Sequence, residues 1–335
     1  MTIYDIALEA GVSASTVSRV LNKKKGVSEE NRKKIEILLR KYNFAPNASA
    51  QGLVSQSSKI IGIMMSDIRT SHHAEGAYFI EQQLQHYGYS CVIVNSGFSE
   101  ESREEGMRLL ASRRAEAVVL IGSTFQSENV KKNIEKYLSD LPIIIENGVI
   151  DLPNVYSVMA DERSGIAECL QFLYDHGRSH PCFVNMHETP SNLLKIQGFV
   201  DTWRRHNPNT SAQPPVVHLS QQEDEEEWYT CHLATKKIME EAPDIDALIF
   251  ATDLLANAGT RALMESGIQI PQQVAVIGVD NSLYSKISYP RLTSLDNRMQ
   301  ELSITCSNIL IRILNGENVP HLQIIHPHLV QRETT

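Results

Sequence analysis

Along most of the chain, short apolar runs alternate with longer segments in which apolar residues recur at helical spacing. The runs are six or seven residues long and rich in β-branched residues, which is typical of buried strands. They lie at 59–65, 90–96, 117–123, 142–147, 155–160, 181–186, 215–220, 247–252 and 274–280. The helical segments lie near 75–87, 100–113, 127–139, 162–176, 191–206, 226–242 and 253–266. This alternation predicts an α/β core of two doubly wound lobes, each with a parallel sheet.

The first 58 residues have a different pattern, which predicts three short helices. Thr2 opens a capping box, and Gly11 is placed to end the first helix. Ser13 and Ser28 are placed to cap the second and third helices. Because only residues 10–13 join the first two helices, the pattern predicts a helix-turn-helix.

The charge is distributed unevenly between these two parts. Residues 1–58 hold nine Lys and Arg against five Asp and Glu, whereas the 335-residue chain has a net charge of −9. A basic head on an acidic body indicates that only the head meets a polyanion. No apolar run reaches the ~20 residues that a membrane helix needs, and the N-terminus lacks a signal-peptide pattern. The five cysteines form no CxxC pair, so we expect a cytoplasmic protein without disulfides or a metal site.

The solvent face of the second predicted helix suits the major groove of DNA, because its side chains are short, polar or basic. Arg19 is suited to donate two hydrogen bonds to a guanine. Hydroxyl and amide groups suit phosphate oxygens, which position a protein without specifying sequence. The predicted phosphate contacts are Tyr4, Ser13, Thr16, Ser18 and Asn22.

The segments IYDIALEAGVSASTVSRVLN, VSEENRKKI and YNFAPNASAQGL resemble the head of the lactose- and galactose-repressor (LacI/GalR) family of bacterial transcription regulators. The resemblance implies that Ala14, Ser15 and Arg19 read bases. By composition alone, residues 47–58 read as a flexible linker. The resemblance instead implies a hinge helix that forms on DNA in a dimer. Its predicted minor-groove residues are Asn47, Ala50, Gln51 and Leu53, with Leu53 wedged between base steps.

Later segments, among them FATDLLANAGTRALMESGIQIPQQVAVIGVDN and YPRLTSLDN, resemble the effector-binding core of the same family. That core is similar to the periplasmic sugar-binding fold, whose two lobes are joined by three crossovers. The predicted division is a helix-turn-helix domain at 1–46, a hinge at 47–58 and a core at 59–335. Within the core, lobe one takes 59–160 and 294–317, and lobe two takes 161–293 and 318–331. The crossovers are expected near 159–161, 291–293 and 318–322.

Polar residues follow several of the predicted strands, at the edge where ligands bind in such sheets. Together with the resemblance, this placement predicts an effector site in the cleft between the lobes. The predicted residues are Asp67, Ser71, His72, Glu146, Lys195, Trp228, Thr252 and Asp280.

Lys195 stands where sugar-responsive relatives usually have Arg, and a lysine lacks the paired donors of a guanidinium. Three interpretations of the cleft stay open at this point. The cleft binds a sugar with altered geometry, or Lys195 with His72 and His73 favours an anionic group such as a sugar phosphate. In the third interpretation a protein partner does the signalling.

The fingerprints GxGxxG, GxxxxGK[ST], GxSxG and HExxH are absent where an enzyme would need them. With this absence, the resemblance implies a homodimeric, sequence-specific transcription regulator of the nucleoid. Its predicted role is repression of carbohydrate-utilisation genes under a sugar or sugar-phosphate effector, with near-palindromic duplex DNA as its partner. Neither a cofactor nor a metal is expected. The alternatives are an α/β enzyme with an accessory DNA-binding head, a regulator controlled by a protein partner, and a stand-alone binding protein.

Overall fold

The structure, a computed structural model, describes residues 2–21, 24–44, 57–220 and 225–335. The chain divides into two compact units, Met1–Lys59 and Ile60–Thr335. This division lies one residue from the predicted start of the core at residue 59.

The head contains three helices, and its sequence accounts for where each one begins and ends. They are α1 (Ile3–Ala10), α2 (Ala14–Leu21) and α3 (Glu29–Lys41). The capping box is present, since the Thr2 hydroxyl accepts from the Asp5 amide and the Asp5 carboxylate accepts from the Thr2 amide. Gly11 ends α1 at φ 69°, a left-handed conformation that glycine adopts without strain.

The head has its own small apolar core, built from one face of each helix. Ile6, Val17 and Ile35 are completely buried in it, with Val20 and Leu38 beside them. The three-helix prediction is therefore confirmed within the described residues.

The larger unit contains two six-stranded sheets. The strands are β1 (Ile60–Met65), β2 (Ser90–Asn95), β3 (Ala117–Ile121), β4 (Ile143–Glu146), β5 (Val155–Ala160), β6 (Pro181–Asn185), β7 (Val216–His218), β8 (Ala247–Phe250), β9 (Ala275–Val279), β10 (Thr293–Asp296), β11 (Leu322–Ile325) and β12 (His328–Val330). Sheet one has the order β11-β5-β4-β3-β1-β2 and is parallel throughout. Sheet two has the order β12-β10-β9-β8-β6-β7, in which only the β12–β10 pairing is antiparallel.

Helices cover both faces of each sheet, so the sheets are buried as the apolar runs predict. These helices are α4 (Ser71–His86), α5 (Glu100–Ser112), α6 (Glu128–Tyr137), α7 (Glu162–Asp175), α8 (Pro190–His206), α9 (Glu227–Glu241), α10 (Asp253–Glu265), α11 (Leu283–Ile287) and α12 (Met299–Leu314). Two apolar clusters flank sheet one and two more flank sheet two. All nine predicted strands and all seven predicted helices are present, whereas α11, α12 and the last three strands were not predicted.

The predicted division of the C-terminal part between the lobes is wrong in two places. β10 belongs to sheet two, where Ser294 lies beside Gly278 of β9, so the second crossover follows Asp296 rather than 291–293. β11 belongs to sheet one, with Leu322 paired to Ser157, so the third crossover lies between Ile325 and His328. β10 is polar and β11 is a half-exposed edge strand, and therefore neither has the apolar run that marks a central strand.

Candidate functional site

A cavity of about 630 Å³ lies between the two lobes of the larger unit. It opens at the carboxyl ends of β1, β8 and β9, the edge at which parallel sheets bind ligands. Lobe one contributes Asp67, Arg69, Thr70, Ser71 and His72. Lobe two contributes Glu225, Glu226, Glu227, Trp228, Thr252, Asp253, Leu254, Asp280, Ser282 and Tyr284.

The structure brings six of the eight predicted effector residues together around this cavity. They are Asp67, Ser71, His72, Trp228, Thr252 and Asp280. The other two, Glu146 and Lys195, do not line it, and the prediction needs correction for both.

Lys195 is buried behind the cavity wall and is fully engaged with protein groups. Its ammonium lies 3.3 Å from Glu162 Oε1, and it donates to Asn192 Oδ1 and to the carbonyl of Ala251, both at 3.2 Å. Both charged side chains of the pair are only 4% exposed. Since the three N–H groups of its ammonium already have partners in lobe two, Lys195 is placed to stabilise the packing of that lobe.

Glu146 ends β4, but its carboxyl group points under α12 instead of into the cleft. Its Oε2 accepts from the Ser303 hydroxyl at 2.9 Å, and its Oε1 is buried without a hydrogen-bond partner. Burial raises the pKa of Glu146 to about 7, because no described cation lies against it to stabilise the ionised form. The rule that ligands bind at the carboxyl ends of parallel strands therefore placed Glu146 at the correct edge of the sheet, but the direction of its side chain was predicted wrongly.

The lobe-one wall carries almost no free charge. The Arg69 guanidinium donates to both carboxylate oxygens of Asp67, from Nε to Oδ1 at 3.0 Å and from Nη2 to Oδ2 at 2.7 Å. His73 donates from Nδ1 to the carbonyl of Asp67 at 2.9 Å. Burial lowers the pKa of His72 and of His73 to about 4, so both imidazoles are neutral at pH 7.

The lobe-two wall is built on two neighbouring aspartates. Asp253 is buried and accepts from the amide and hydroxyl of Ser282 at 2.7 and 2.8 Å, and from the Ser294 hydroxyl at 2.6 Å. A Cβ at Gly278 would lie 2.3 Å from Asp253 Oδ1, so the carboxylate fits only beside a glycine. Burial, and then the charge of Asp280, raise the pKa of Asp253 to about 7.

Asp280 follows β9 with a positive φ of 101°, a conformation that is uncommon for a residue with a side chain. Its Oδ1 accepts a long hydrogen bond of 3.3 Å from Asn297, which also lies 3.4 Å from Glu162. Burial raises its pKa, although the nearby Lys195 opposes the shift. The carboxylate is thus held at the cavity by one long hydrogen bond, with the charge of Lys195 nearby.

Sequence reasoning missed several wall residues that the fold brings in. Arg69 and Thr70 stand two and three residues after Asp67, and Tyr284 stands four residues after Asp280, so proximity along the chain was an available signal. Residues 225–227 are three consecutive glutamates, a pattern that is typical of a solvated helix start. They do precede and begin α9, but their position also brings them to the cavity.

The exposed face of α2 in the head is a second candidate site. Ser15 and Arg19 are exposed and Ala14 and Ser18 are half-buried, while Val17 faces the core. The side chains that face solvent are the small, polar and basic ones that were predicted for base and phosphate contacts.

The predicted phosphate contacts also lie on solvent-accessible parts of the head. Tyr4 is 74% exposed on α1, and the exposed Ser13 hydroxyl lies 2.8 Å from the hydroxyls of Ser15 and Thr16. Asn22 and the hinge residues Asn47, Ala50, Gln51 and Leu53 lie outside the described residues.

Two kinds of feature are absent from the described part of the chain. No helix there has both the length and the apolar character to cross a bilayer. Within the same ranges, no group of three or more His, Cys, Asp and Glu side chains is arranged to hold a metal ion.

A three-helix DNA-binding type of head and a two-lobed core with a cavity between its lobes define a class of ligand-responsive regulators. Comparison with known families agrees with that class. Residues 2–47 match the model of bacterial regulatory proteins of the lacI family. Residues 58–333 match the model of periplasmic binding proteins and the sugar-binding domain of the LacI family. The chain belongs to the LacI family of transcriptional regulators.

Individual relatives agree over the full length. An HTH-type transcriptional regulator of Lachnoclostridium phytofermentans is 33% identical, with 100% of this chain and 99% of that protein covered. Catabolite control protein A of Priestia megaterium is 26% identical over the same shares of the two chains.

Among solved structures, the Lac repressor dimer bound to operator and the anti-inducer ONPF superposes with a TM-score of 0.86. Its sequence is 23% identical, with 100% of this chain and 98% of that chain covered. The complex of the regulator CelR with cellobiose superposes with a TM-score of 0.72 at 21% identity, and both chains are covered completely. These two likenesses concern the fold.

Proposed function

We propose that this regulator is a homodimeric repressor whose binding to a near-palindromic operator is controlled by a small molecule in the interlobe cleft. It acts in the cytoplasm, on the DNA of the nucleoid, and it is not an enzyme. The observation that carries the proposal is the cavity itself, because both lobes contribute polar groups to one enclosed space. A ligand that touches both walls favours one arrangement of the lobes over another. It shifts the equilibrium only by its difference in affinity for the two arrangements.

The charges of the cavity favour a sugar over a sugar phosphate. The anionic interpretation needs positive charge from Lys195, His72 and His73. Lys195 is neutralised by Glu162 at 3.3 Å, and the pKa of each histidine is about 4, so neither imidazole is charged at pH 7. Hydroxyl groups, in contrast, find acceptors in Asp280 and donors or acceptors in Ser71 and Thr252.

The test uses the purified full-length protein and duplex fragments from upstream of its own gene, at two salt concentrations. We expect a specific complex whose affinity falls as salt rises, since basic side chains displace counterions from the phosphates. A panel of neutral sugars, amino sugars and sugar phosphates is then added to that complex. A specific complex that every panel compound leaves unchanged would contradict control through the cleft and favour a protein partner. Turnover of a panel compound would favour the enzyme alternative.

Arg19→Ala tests base reading by the head. We expect a loss of about 1–3 kcal/mol in discrimination between operator and unrelated DNA, while binding to unrelated DNA falls modestly. Arg40→Ala is the matched control, since it removes the same charge from the end of α3. Competition mobility shifts measure both affinities. Equal losses of discrimination in the two variants would refute the role of Arg19 in base reading.

A further inference from the structure

The charge of the cavity wall is unbalanced. Among the described residues that line it, six are carboxylates and one is a cation, Arg69. That guanidinium is already paired with both oxygens of Asp67. Outside the cavity, His187 pairs with Glu227 at 2.9 Å, and Lys195 pairs with Glu162. The described wall therefore keeps an excess of carboxylates, although the charge of Lys195 acts on Asp280 and the charge of Arg69 acts on Glu226 as well as on Asp67.

Asp253 and Asp280 already repel each other across this wall. The charge of Asp280 is one of the two effects that raise the pKa of Asp253. Two close carboxylates in a partly desolvated space are costly unless a cation or a proton relieves them. A ligand with a positive group beside Asp280 would relieve the repulsion, and an anionic ligand would increase it.

Two aromatic side chains complete the wall. Trp228 and Tyr284 line the same cavity, and each is 40% exposed. The face of an aromatic ring attracts an ammonium group, and carboxylates beside it strengthen the attraction. Aromatic rings also stack on the apolar faces of sugar rings, so the rings alone do not distinguish the ligands. Together with the excess of carboxylates, they favour a cation.

We propose that the effector of this cleft carries a protonated amine, which Asp280 and Glu226 of the cavity wall hold. This inference rests on the proposed function, that the cleft binds a small-molecule effector, and it sets the charge of that effector. An amino sugar and a linear diamine share the required ammonium, and the experiment distinguishes these two sources.

Isothermal titration of the full-length protein compares ligands that differ at one group. The pairs are glucosamine with glucose and galactosamine with galactose; N-acetylglucosamine, glucose 6-phosphate and putrescine complete the set. We expect each amino sugar to bind at least roughly tenfold more tightly than its neutral parent, as a hydrogen bond to a charged group contributes. Glucose 6-phosphate is expected to bind most weakly. Higher salt is expected to weaken binding of the amines more than that of the neutral sugars.

Asp280→Asn keeps the size of the side chain and removes its charge. We expect the amine to lose more affinity than its neutral parent, so that the ratio of amine to parent affinity falls toward one. Asp140→Asn, at an exposed position outside the cavity, is the control and is expected to keep the wild-type ratio. A loss of binding for both members of a pair in Asp280→Asn would show a structural role and overturn the assignment of Asp280.

The outcomes separate this inference from the proposed function. Tight binding of an amino sugar or of putrescine supports the ammonium and identifies its source. If a neutral sugar or glucose 6-phosphate binds more tightly than the amines and alters operator binding, the inference is overturned and effector control stands. If no compound binds while the operator complex forms, both are overturned.

Discussion

The two lobes share one fold, yet each buries a carboxylate near the cleft in a different way. In lobe two, Glu162 begins α7 and faces the ammonium of Lys195 at 3.3 Å. In lobe one, Glu146 ends β4, and its partners among the described residues are the Ser303 hydroxyl and the Cys306 thiol. A buried carboxylate with a cation stays ionised, whereas one without a cation is stable mainly in its protonated form. The same architecture thus gives one lobe a fixed ion pair and the other an acid that titrates.

The largest expected effect comes from breaking the ion pair of lobe two. Lys195→Met keeps most of the volume but leaves Glu162 buried without its cation, and we expect a loss of about 3–5 kcal/mol in the free energy of unfolding. Urea unfolding of the purified variant measures this loss.

The double variant Lys195→Met with Glu162→Gln is the control for that experiment. It removes both charges, so we expect it to recover most of the lost stability. A loss below about 1 kcal/mol in the single variant would mean that solvent reaches Glu162 and that the contrast between the lobes is smaller than the geometry indicates.

The second prediction concerns the acid of lobe one and is a pH effect. The pKa of Glu146 is about 7 in the folded protein, above the ordinary value of 4.5 that applies to the unfolded chain. The folded state therefore holds more protons between these values, and this group makes stability fall as pH rises from about 4.5 to 7. Glu146→Gln cannot ionise. The free energy of unfolding of Glu146→Gln minus that of the wild type is expected to be roughly 3 kcal/mol larger at pH 8 than at pH 4.5.

The measurement is urea unfolding of both proteins at several values of pH, and the difference between them removes the contribution of all other groups. Glu135→Gln, an exposed position on α6 of the same lobe, is the matched control and should follow the wild type at every pH. Parallel stability curves for Glu146→Gln and the wild type would show that Glu146 gains a compensating partner and is not a buried acid.

The head and the core differ in how much of them the sequence could predict. Thr2, Gly11 and Ser13 act on neighbours within five residues, so local pattern was sufficient to place α1 and α2 and the exposed face of α2. Nine of the twelve strands of the core were equally clear, because burial between helices leaves an apolar run.

The cleft was harder to predict because residues that are far apart along the chain form its contacts, and only the folded structure shows which of them meet. Glu146 and Asp280 both follow strands, and only the packing of α12 decides that the first turns away from the cavity. Lys195 was assigned from its place in a motif. Its partner Glu162 lies 33 positions earlier, on a different helix, and nothing in the local pattern indicates their contact.

The smallest expected effect compares two threonines, one in each lobe, that each follow a strand and precede a helix at the cavity. Thr252 precedes α10 after β8, and its hydroxyl accepts from the Leu255 amide at 3.3 Å. Thr70 precedes α4 after β1, but its side chain makes no capping hydrogen bond. We expect Thr252→Ala to lower the free energy of unfolding by about 1 kcal/mol and Thr70→Ala to change it little.

Thr252→Ser keeps the capping hydroxyl and is expected to retain wild-type stability in the same urea experiment. Both threonines line the cavity, so the comparison also separates two uses of a hydroxyl. In lobe two the hydroxyl supports the helix, and in lobe one it is open to a ligand. Equal losses in Thr70→Ala and Thr252→Ala would mean that both lobes cap their helices alike. A ligand can bind the Thr70 hydroxyl without breaking a helix cap. If the two threonines differ as expected, Thr70→Ala should weaken effector binding while it changes the free energy of unfolding little.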